Sequence, residues 1–235
     1  MSRNIALVPA AGVGQRFGAP CPKQYVDLAG QTVLQHTINR LLSIPEIDLL
    51  LIAVSPEDAY IDDVYPLAKT PERVHILRCG GASRALTVKN GIAAARNQFA
   101  VQDDDWILVH DAARCCVKPE SVQSLIVAVR DDAVGGLLAL PVSDTLKRAN
   151  AQGRVSQTVD RAKMWQAQTP QMFRCGMLYR ALEAADLTQV TDEASAVEGQ
   201  GFAPLLVTGN VQNLKITTPQ DLALARFFLF EEQAI

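Results

Sequence analysis

Asn4-Ile5-Ala6-Leu7-Val8-Pro9 runs directly into Ala10-Ala11-Gly12-Val13-Gly14-Gln15-Arg16-Phe17-Gly18, and Pro22-Lys23-Gln24 follows. The first six residues read as a short buried strand. A strand feeding a glycine-rich turn leaves unpaired backbone N–H groups at its carboxyl end, where they can hold a phosphate. The turn carries a fixed cation, Arg16, and a second, Lys23, comes after it. Two cations beside a phosphate cradle point to chemistry on a polyphosphate rather than to docking alone.

The nearest rival is a dinucleotide loop, but the spacing is one residue off that fingerprint. Pro20 and Pro22 break any helix that would start there. No strand ending in an acid lies about 20 residues on, where a ribose-binding carboxylate belongs. No Gly-Lys-Ser/Thr follows, so the turn is not a Walker loop either. A tight turn that needs glycine for backbone reasons alone is the plainer alternative.

Working outward, Leu49-Leu50-Leu51-Ile52-Ala53-Val54 is a continuous apolar run, as a parallel strand covered on both faces requires. Val74–Leu77, Trp106–Val109 and Gly136–Leu140 are similar. Between them, Val33, Leu34, Thr37, Ile38, Leu41 and Leu42 fall on one helical face, as do Val88, Ile92 and Ala95, and Val122, Leu125, Ile126 and Val129. Repeated strand–helix units imply an α/β fold of Rossmann-like type, a mostly parallel twisted sheet with helices on both faces. The two tryptophans, Trp106 and Trp165, read as core. Residues 221–230 read as a closing amphipathic helix.

The pattern breaks at Pro141. Residues 143–163 alternate around Gly153 and read as a hairpin, polar and thin. Such a hairpin has little stability alone in water, so a second subunit is its expected cover. The chain is expected to be one domain over residues 1–235, with 141–163 as a protruding β-arm.

Hydrophobic residues make up 49% and charged residues 20%, enough for a real core in a soluble globule. The net charge of −3 argues against a general nucleic-acid surface. No apolar run approaches a membrane span and no signal-peptide pattern opens the chain, so a cytoplasmic location is expected. Five cysteines without a Cys-x-x-Cys pair read as reduced thiols.

Pro9-Ala10-Ala11-Gly12-x-Gly14-x-Arg16 with Pro22-Lys23-Gln24 resembles the signature of the sugar-nucleotide pyrophosphorylase and cytidylyltransferase family. The likeness continues in order through Val109-His110-Asp111-Ala112-Ala113-Arg114, Pro141-Val142-x-Asp144-Thr145, Thr158-Val159-Asp160-Arg161, Gln168-Thr169-Pro170-Gln171, Thr191-Asp192-Glu193-Ala194 and Asn213-Leu214-Lys215. It therefore spans nearly the whole chain.

That resemblance implies transfer of CMP from CTP to a small polyol phosphate. The leading acceptor is 2-C-methyl-D-erythritol 4-phosphate, and ribitol 5-phosphate is the near alternative. It implies Arg16 and Lys23 as catalytic cations. It implies nucleotide contacts from Pro9, Ala10, Ala11, Gly12, Gly14, Gly81, Ala82, Arg84, Thr87, Asp111 and Ala112. Arg114, Thr145, Arg161, Thr169, Thr191 and Lys215 would hold the acceptor. It also implies a homodimer with shared sites, Arg161 and Thr191 coming from the partner. Mg²⁺ is the expected companion of the triphosphate, with Asp111 as its protein ligand.

Chemically, the acceptor phosphate is already anionic, so the task is to hold two repelling anions in line and neutralise the charge that builds up. Arg16, Lys23, Gly80-Gly81, Asp111 and Arg114 all follow expected strands and so share one rim of the sheet. Plainer readings stand beside each residue: Asp111 as a turn or cap aspartate, Thr145 and Thr169 as strand threonines, Asp192-Glu193 as a helix start, and His110 as structural. Leu86 and Cys115 depart from the family pattern, which has an acid and a proline there, and Thr87 replaces a serine. From other classes, a dinucleotide-binding oxidoreductase and a catalytically silent nucleotide-binding regulator remain open.

Overall fold

A computed structural model describes residues 2–12, 17–18, 21–66 and 70–231. β1 (Asn4–Pro9) leads through a 3₁₀ turn (Lys23–Tyr25) and two short strands, β2 (Asp27–Leu28) and β3 (Gln31–Thr32), into α1 (Val33–Leu42). β4 (Leu49–Val54), α2 (Ile61–Val64), β5 (Val74–Arg78), α3 (Arg84–Phe99), β6 (Trp106–Val109), α4 (Pro119–Val129) and β7 (Gly135–Pro141) follow. Next come β8 (Leu146–Ala149), β9 (Val155–Val159), β10 (Trp165–Arg174), α5 (Cys175–Ala184), α6 (Glu193–Glu198), β11 (Leu205–Thr208) and α7 (Pro219–Glu231).

The main sheet has seven strands in the order β11-β7-β10-β6-β1-β4-β5. Every neighbouring pair is parallel except those made by β10, which runs antiparallel to both β6 and β7. β1 is an interior strand, with Leu7 registered against Leu51 on one side and Val109 on the other. Its continuous apolar run is explained by the two layers it feeds. Ala6 and Val8 join Leu50, Ile52 and Leu108 in a core capped by Leu34 and Ile38 of α1 and Leu125 of α4. Ile5 and Leu7 join Leu51 and Ile107 in the opposite core, covered by Val88 and Ile92 of α3 and Leu178 of α5. Fully burying one such Leu or Ile is worth about 1.5–3 kcal/mol, so both faces are anchored. α3 lies so close to β1 that a Cβ on Gly91 would sit 2.8 Å from Leu7 Cδ1.

Caps fix where helices begin. Thr32 accepts from Gln35 N–H at 3.1 Å, and Gln35 Oε1 accepts from Thr32 N–H at 2.8 Å, a reciprocal capping box. Ser83 caps α3 and Asp192 caps α6.

Among the described residues β8 and β9 pair only with each other, as the hairpin reading expected. Two expectations fail. Trp165 is 36% exposed, because it opens β10 where that strand has left β6 and pairs only with the end of β7. Trp106 is buried, with the Arg174 guanidinium over its ring. α7 is apolar on two faces rather than amphipathic: Ala225 and Leu229 are buried while Leu224 and Phe227 are more than half exposed.

Candidate active site

The segments that follow β1, β5 and β6 open onto a cleft of about 560 Å³, within the roughly 300–1,000 Å³ usual for small-molecule sites. Pro9, Ala10, Ala11 and Gly12 form one wall and Gly81, Ala82, Arg84 and Thr87 another; Lys23, Asp111, Ala112 and Lys215 complete it. Arg16 and Gly14 lie outside the described residues. All the other expected nucleotide contacts are here.

Gln24 ties the first wall down. It is buried, and its Nε2 donates to the carbonyls of Ala10 at 2.7 Å and Gly12 at 3.0 Å. The same turn carries Lys23, whose Nζ donates to Ile216 O at 2.8 Å. Tyr25 secures the turn's far end by donating to Asp58 Oδ2 at 2.8 Å and stacking on Tyr60. The second wall presses against the first: a Cβ on Gly80 would fall 2.3 Å from Ala11 Cβ. A Cβ on Gly81 would fall 2.4 Å from Leu86 Cγ, so Leu86 packs where the family pattern has an acid. Thr87 spends its hydroxyl inside the loop, donating to Ser83 O at 2.9 Å and accepting from Gly81 N–H at 3.1 Å.

Beyond Asp111 lies a second cavity of about 180 Å³, lined by Arg84, Asp111, Arg114, Thr169, Thr191 and Lys215 among others. Arg84, Asp111 and Lys215 line both cavities and so form a shared wall. Asp111 is the centre of that wall. Arg84 Nε stands 2.8 Å from its Oδ1; Lys215 Nζ stands 2.8 Å and Arg114 Nε 3.5 Å from its Oδ2. Burial alone would raise the Asp111 pKa, but the charges of Arg84 and Lys215 override it and hold the carboxyl far below the usual carboxylate range.

Thr169 meets the same residue from β10, accepting from Asp111 N–H at 3.0 Å. His110 is fully buried, with Nε2 3.1 Å from Arg114 O and Nδ1 3.0 Å from Thr169 Oγ1. A carbonyl only accepts, so Nε2 carries the proton and Nδ1 accepts from the threonine hydroxyl. Burial pushes the His110 pKa down to about 4. This imidazole is neutral, doubly hydrogen-bonded and structural, as expected.

The β10 bulge between Ala167 and Gln171 brings in the rest. Asn213 Nδ2 donates to Thr169 O at 2.8 Å, and Asn213 O accepts from Arg114 Nη1 at 2.7 Å. Gln171 Nε2 donates to Asp192 Oδ2 at 2.8 Å and its Oε1 accepts from Ala194 N–H at 2.8 Å, seating α6 on β10. That seating corrects one expectation. Thr191, read as a partner-subunit contact, lines the second cavity of its own chain. Thr145 and Arg161 line neither cavity and are exposed on the arm.

Gln24, Gln171, Glu193 and Asn213 sat inside the quoted motifs but were not singled out as site residues. Glu193 is the largest omission. It is 1% exposed and takes the Arg84 fork on both oxygens, at 2.6 and 3.0 Å. Burial pushes its carboxyl up while Arg84 pulls it back, and the pairing keeps Arg84 cationic despite its own burial.

Among the described residues, Asp111 is the only carboxylate lining the larger cavity, and no three His, Cys, Asp or Glu converge as a metal cage. One hard oxygen donor beside a phosphate site is the donor set Mg²⁺ uses when a nucleotide carries it. The donor type suits that ion in that mode, and both Asp111 oxygens are engaged here by Arg84 and Lys215.

Comparison with known proteins points one way. The family model described as 2-C-methyl-D-erythritol 4-phosphate cytidylyltransferase matches residues 4–231. Proteins of that name from Chromobacterium violaceum and Laribacter hongkongensis are 54% and 53% identical to the chain, covering 96% and 97% of it and 97% of each relative. A crystal structure of 4-diphosphocytidyl-2C-methyl-D-erythritol synthase superposes with a TM-score of 0.86 at 45% identity, over 97% of this chain and 99% of that one. The Francisella tularensis cytidylyltransferase superposes with a TM-score of 0.82 at 32% identity, over 97% and 100%.

Proposed function

The chain belongs to the 2-C-methyl-D-erythritol 4-phosphate cytidylyltransferase family, and from that membership we infer that it transfers CMP from CTP to 2-C-methyl-D-erythritol 4-phosphate. The products are 4-diphosphocytidyl-2-C-methyl-D-erythritol and pyrophosphate, a step of non-mevalonate isoprenoid synthesis. The observation that carries this reading is the shared wall of Arg84, Asp111 and Lys215 between a nucleotide-sized cleft and a smaller polar cavity. Two anionic substrates meet across it. Neither the oxidoreductase nor the silent-regulator alternative accounts for that pairing.

In the reaction, an acceptor phosphate oxygen attacks the α-phosphorus in line and pyrophosphate leaves. The nucleophile is anionic at neutral pH, and His110 has both nitrogens engaged within the fold, so no side-chain base is assigned. Lys23 lines only the larger cavity and serves the nucleotide side; Arg114 lines only the smaller and serves the acceptor. Fixed cations aimed at developing charge lower the barrier because they need no reorganisation. Arg16 takes its catalytic assignment from the sequence motif. Mg²⁺, held by Asp111 together with phosphate oxygens, would neutralise triphosphate charge.

The same reading includes a homodimer in which the arm carries Thr145 and Arg161 to the neighbour's acceptor cavity. Exposed Val155 on the arm and Met164 and Trp165 just beyond it support it, as does a groove of about 470 Å³ between the arm's base and Phe202, Pro204 and Leu206. A cytoplasmic location is proposed as well. Among the described residues no helix is long and apolar enough to cross a membrane.

The test is pyrophosphate release across CTP, UTP, ATP and GTP, each offered methylerythritol phosphate or ribitol phosphate, with Mg²⁺ and after chelation. Release confined to CTP with methylerythritol phosphate and abolished by chelator is the expected result. Release with ribitol phosphate alone would move the acceptor assignment.

A further inference from the structure

We propose that Glu193 is a positioning residue that withholds the Arg84 fork from phosphate and commits it to Asp111, an inference that rests on the cytidylyl-transfer reading above. Glu193 lines neither cavity. Its two oxygens take Arg84 Nη1 and Nη2, while Arg84 Nε meets Asp111 Oδ1 at 2.8 Å. A guanidinium is planar and rigid, so three such bonds fix both its position and its plane.

Capping does not explain this carboxylate. Asp192 caps α6, accepting from Ser195 N–H at 2.9 Å. A first-turn acid acting only on the helix dipole gains nothing from burial, which penalises its charge. Glu193 is nonetheless 1% exposed, with its charge met by a residue 109 positions away.

The consequence lies in the charge balance of the wall. Three cations (Arg84, Arg114, Lys215) face Asp111 and Glu193, with a third carboxylate, Asp192, lining the smaller cavity and engaged by Gln171 and the Ser195 N–H. Arg84 borders both anion sites, and an unrestrained guanidinium there would grip phosphate bidentately. Such a grip would bind ground state and transition state alike, so it would tighten binding without speeding the chemistry. Glu193 turns the fork inward, leaving Arg114, Lys215 and Lys23 to meet the phosphates while Arg84 holds Asp111 in place.

The proposal predicts opposite signs for binding and turnover. The full-length protein, Glu193→Gln and the neutral pair Arg84→Gln/Glu193→Gln are titrated with inorganic phosphate by calorimetry, and kcat is measured with CTP and methylerythritol phosphate. Glu193→Gln should bind phosphate at least about threefold tighter, as one freed bidentate cation allows, while kcat falls at least about tenfold. The double variant should bind phosphate within about twofold of the unaltered protein, because a withheld fork contributes nothing to lose. A merely structural role predicts that phosphate binding weakens with activity. A folded Glu193→Gln that binds phosphate no tighter than the unaltered protein overturns the proposal. So does a tenfold loss of affinity in the double variant, or no detectable phosphate binding by any of the three. The double variant buries no unpaired charge and gives its answer even where Glu193→Gln does not fold. Absence of pyrophosphate release by the unaltered protein would count against the functional reading alone, because the phosphate titration reads Arg84 whether or not cytidylyl transfer occurs.

Discussion

The Lys23 ammonium donates to the backbone carbonyl of Ile216 at 2.8 Å, across 193 residues of chain. Ile216 adjoins Lys215, which is bonded to Asp111 on the shared wall. A cation of the larger cavity is thereby indexed to the segment that carries a cation lining both cavities. Lys23→Met keeps the stem and removes the charge. It should lower kcat by about a hundredfold to a thousandfold or more, with a much smaller change in CTP affinity. Rapid-quench turnover beside a CTP binding titration checks this, and near-normal turnover would take lysine out of the mechanism.

Gln24 has a different job. Its two hydrogen bonds satisfy the carbonyls of Ala10 and Gly12, and losing a buried partner costs about 1–3 kcal/mol per orphaned group. Gln24→Ala should therefore loosen the glycine loop and raise KM for CTP about tenfold while KM for the acceptor stays close to normal. Steady-state kinetics with each substrate varied in turn separates the two. An equal rise in both would show that the loop serves the whole cleft rather than the nucleotide.

His110 sets a pH dependence of stability. Its pKa falls from 6.5 to about 4 on burial. Between those values the unfolded chain binds a proton that the folded chain refuses, so stability rises with pH across the window. The contribution is complete above the unfolded value and is lost as pH falls towards 4, by about 3 kcal/mol. Asp111 is held low and adds its own loss only below the ordinary carboxylate range. Glu193 is pushed up by burial and acts in the opposite sense, losing its contribution as pH rises above its ordinary value. His110→Gln isolates the histidine. Urea denaturation at several pH values should show a flatter course for the variant between pH 4 and 6.5, and parallel courses would remove His110 as the source.

The fold was legible where one physical rule dominates. Leu49–Val54 could be read as a buried parallel strand because a strand covered on both faces has no polar side to show. The glycine turn reads as a phosphate cradle because few ligands suit an array of backbone N–H groups beside two cations, and its residues 13–16, Arg16 included, lie outside the described residues. Glu193 could not be read. An acid immediately after a capping position looks the same whether it faces water or a buried arginine, and its partner Arg84 lies in a different motif. Thr191 reads from sequence as a partner contact, whereas it lines a cavity of its own chain, because nothing local reveals that Gln171 pulls the start of α6 over β10. Trp165 read as core because composition carries no record of which strand end leaves the sheet.

Thr145 and Arg161 are exposed and border neither cavity of their own chain, which makes the arm the place to test whether sites are shared. Arg161→Ala should raise KM for the acceptor at least about tenfold through loss of a charge-assisted phosphate contact, with KM for CTP unaltered. The decisive measurement mixes this variant with Lys23→Met. If each site takes Lys23 from one chain and Arg161 from the other, a mixed dimer has one doubly damaged site and one intact site. Random exchange makes half of the dimers mixed, so activity should recover to about a quarter of the unaltered protein at low acceptor concentration. If the arm folds back onto its own chain, mixing creates no intact site, and activity stays at the average of the two variants. Recovery after subunit exchange and none before it would assign Arg161 to the neighbour's cavity; a flat average would return it to its own chain and remove the arm from catalysis in trans.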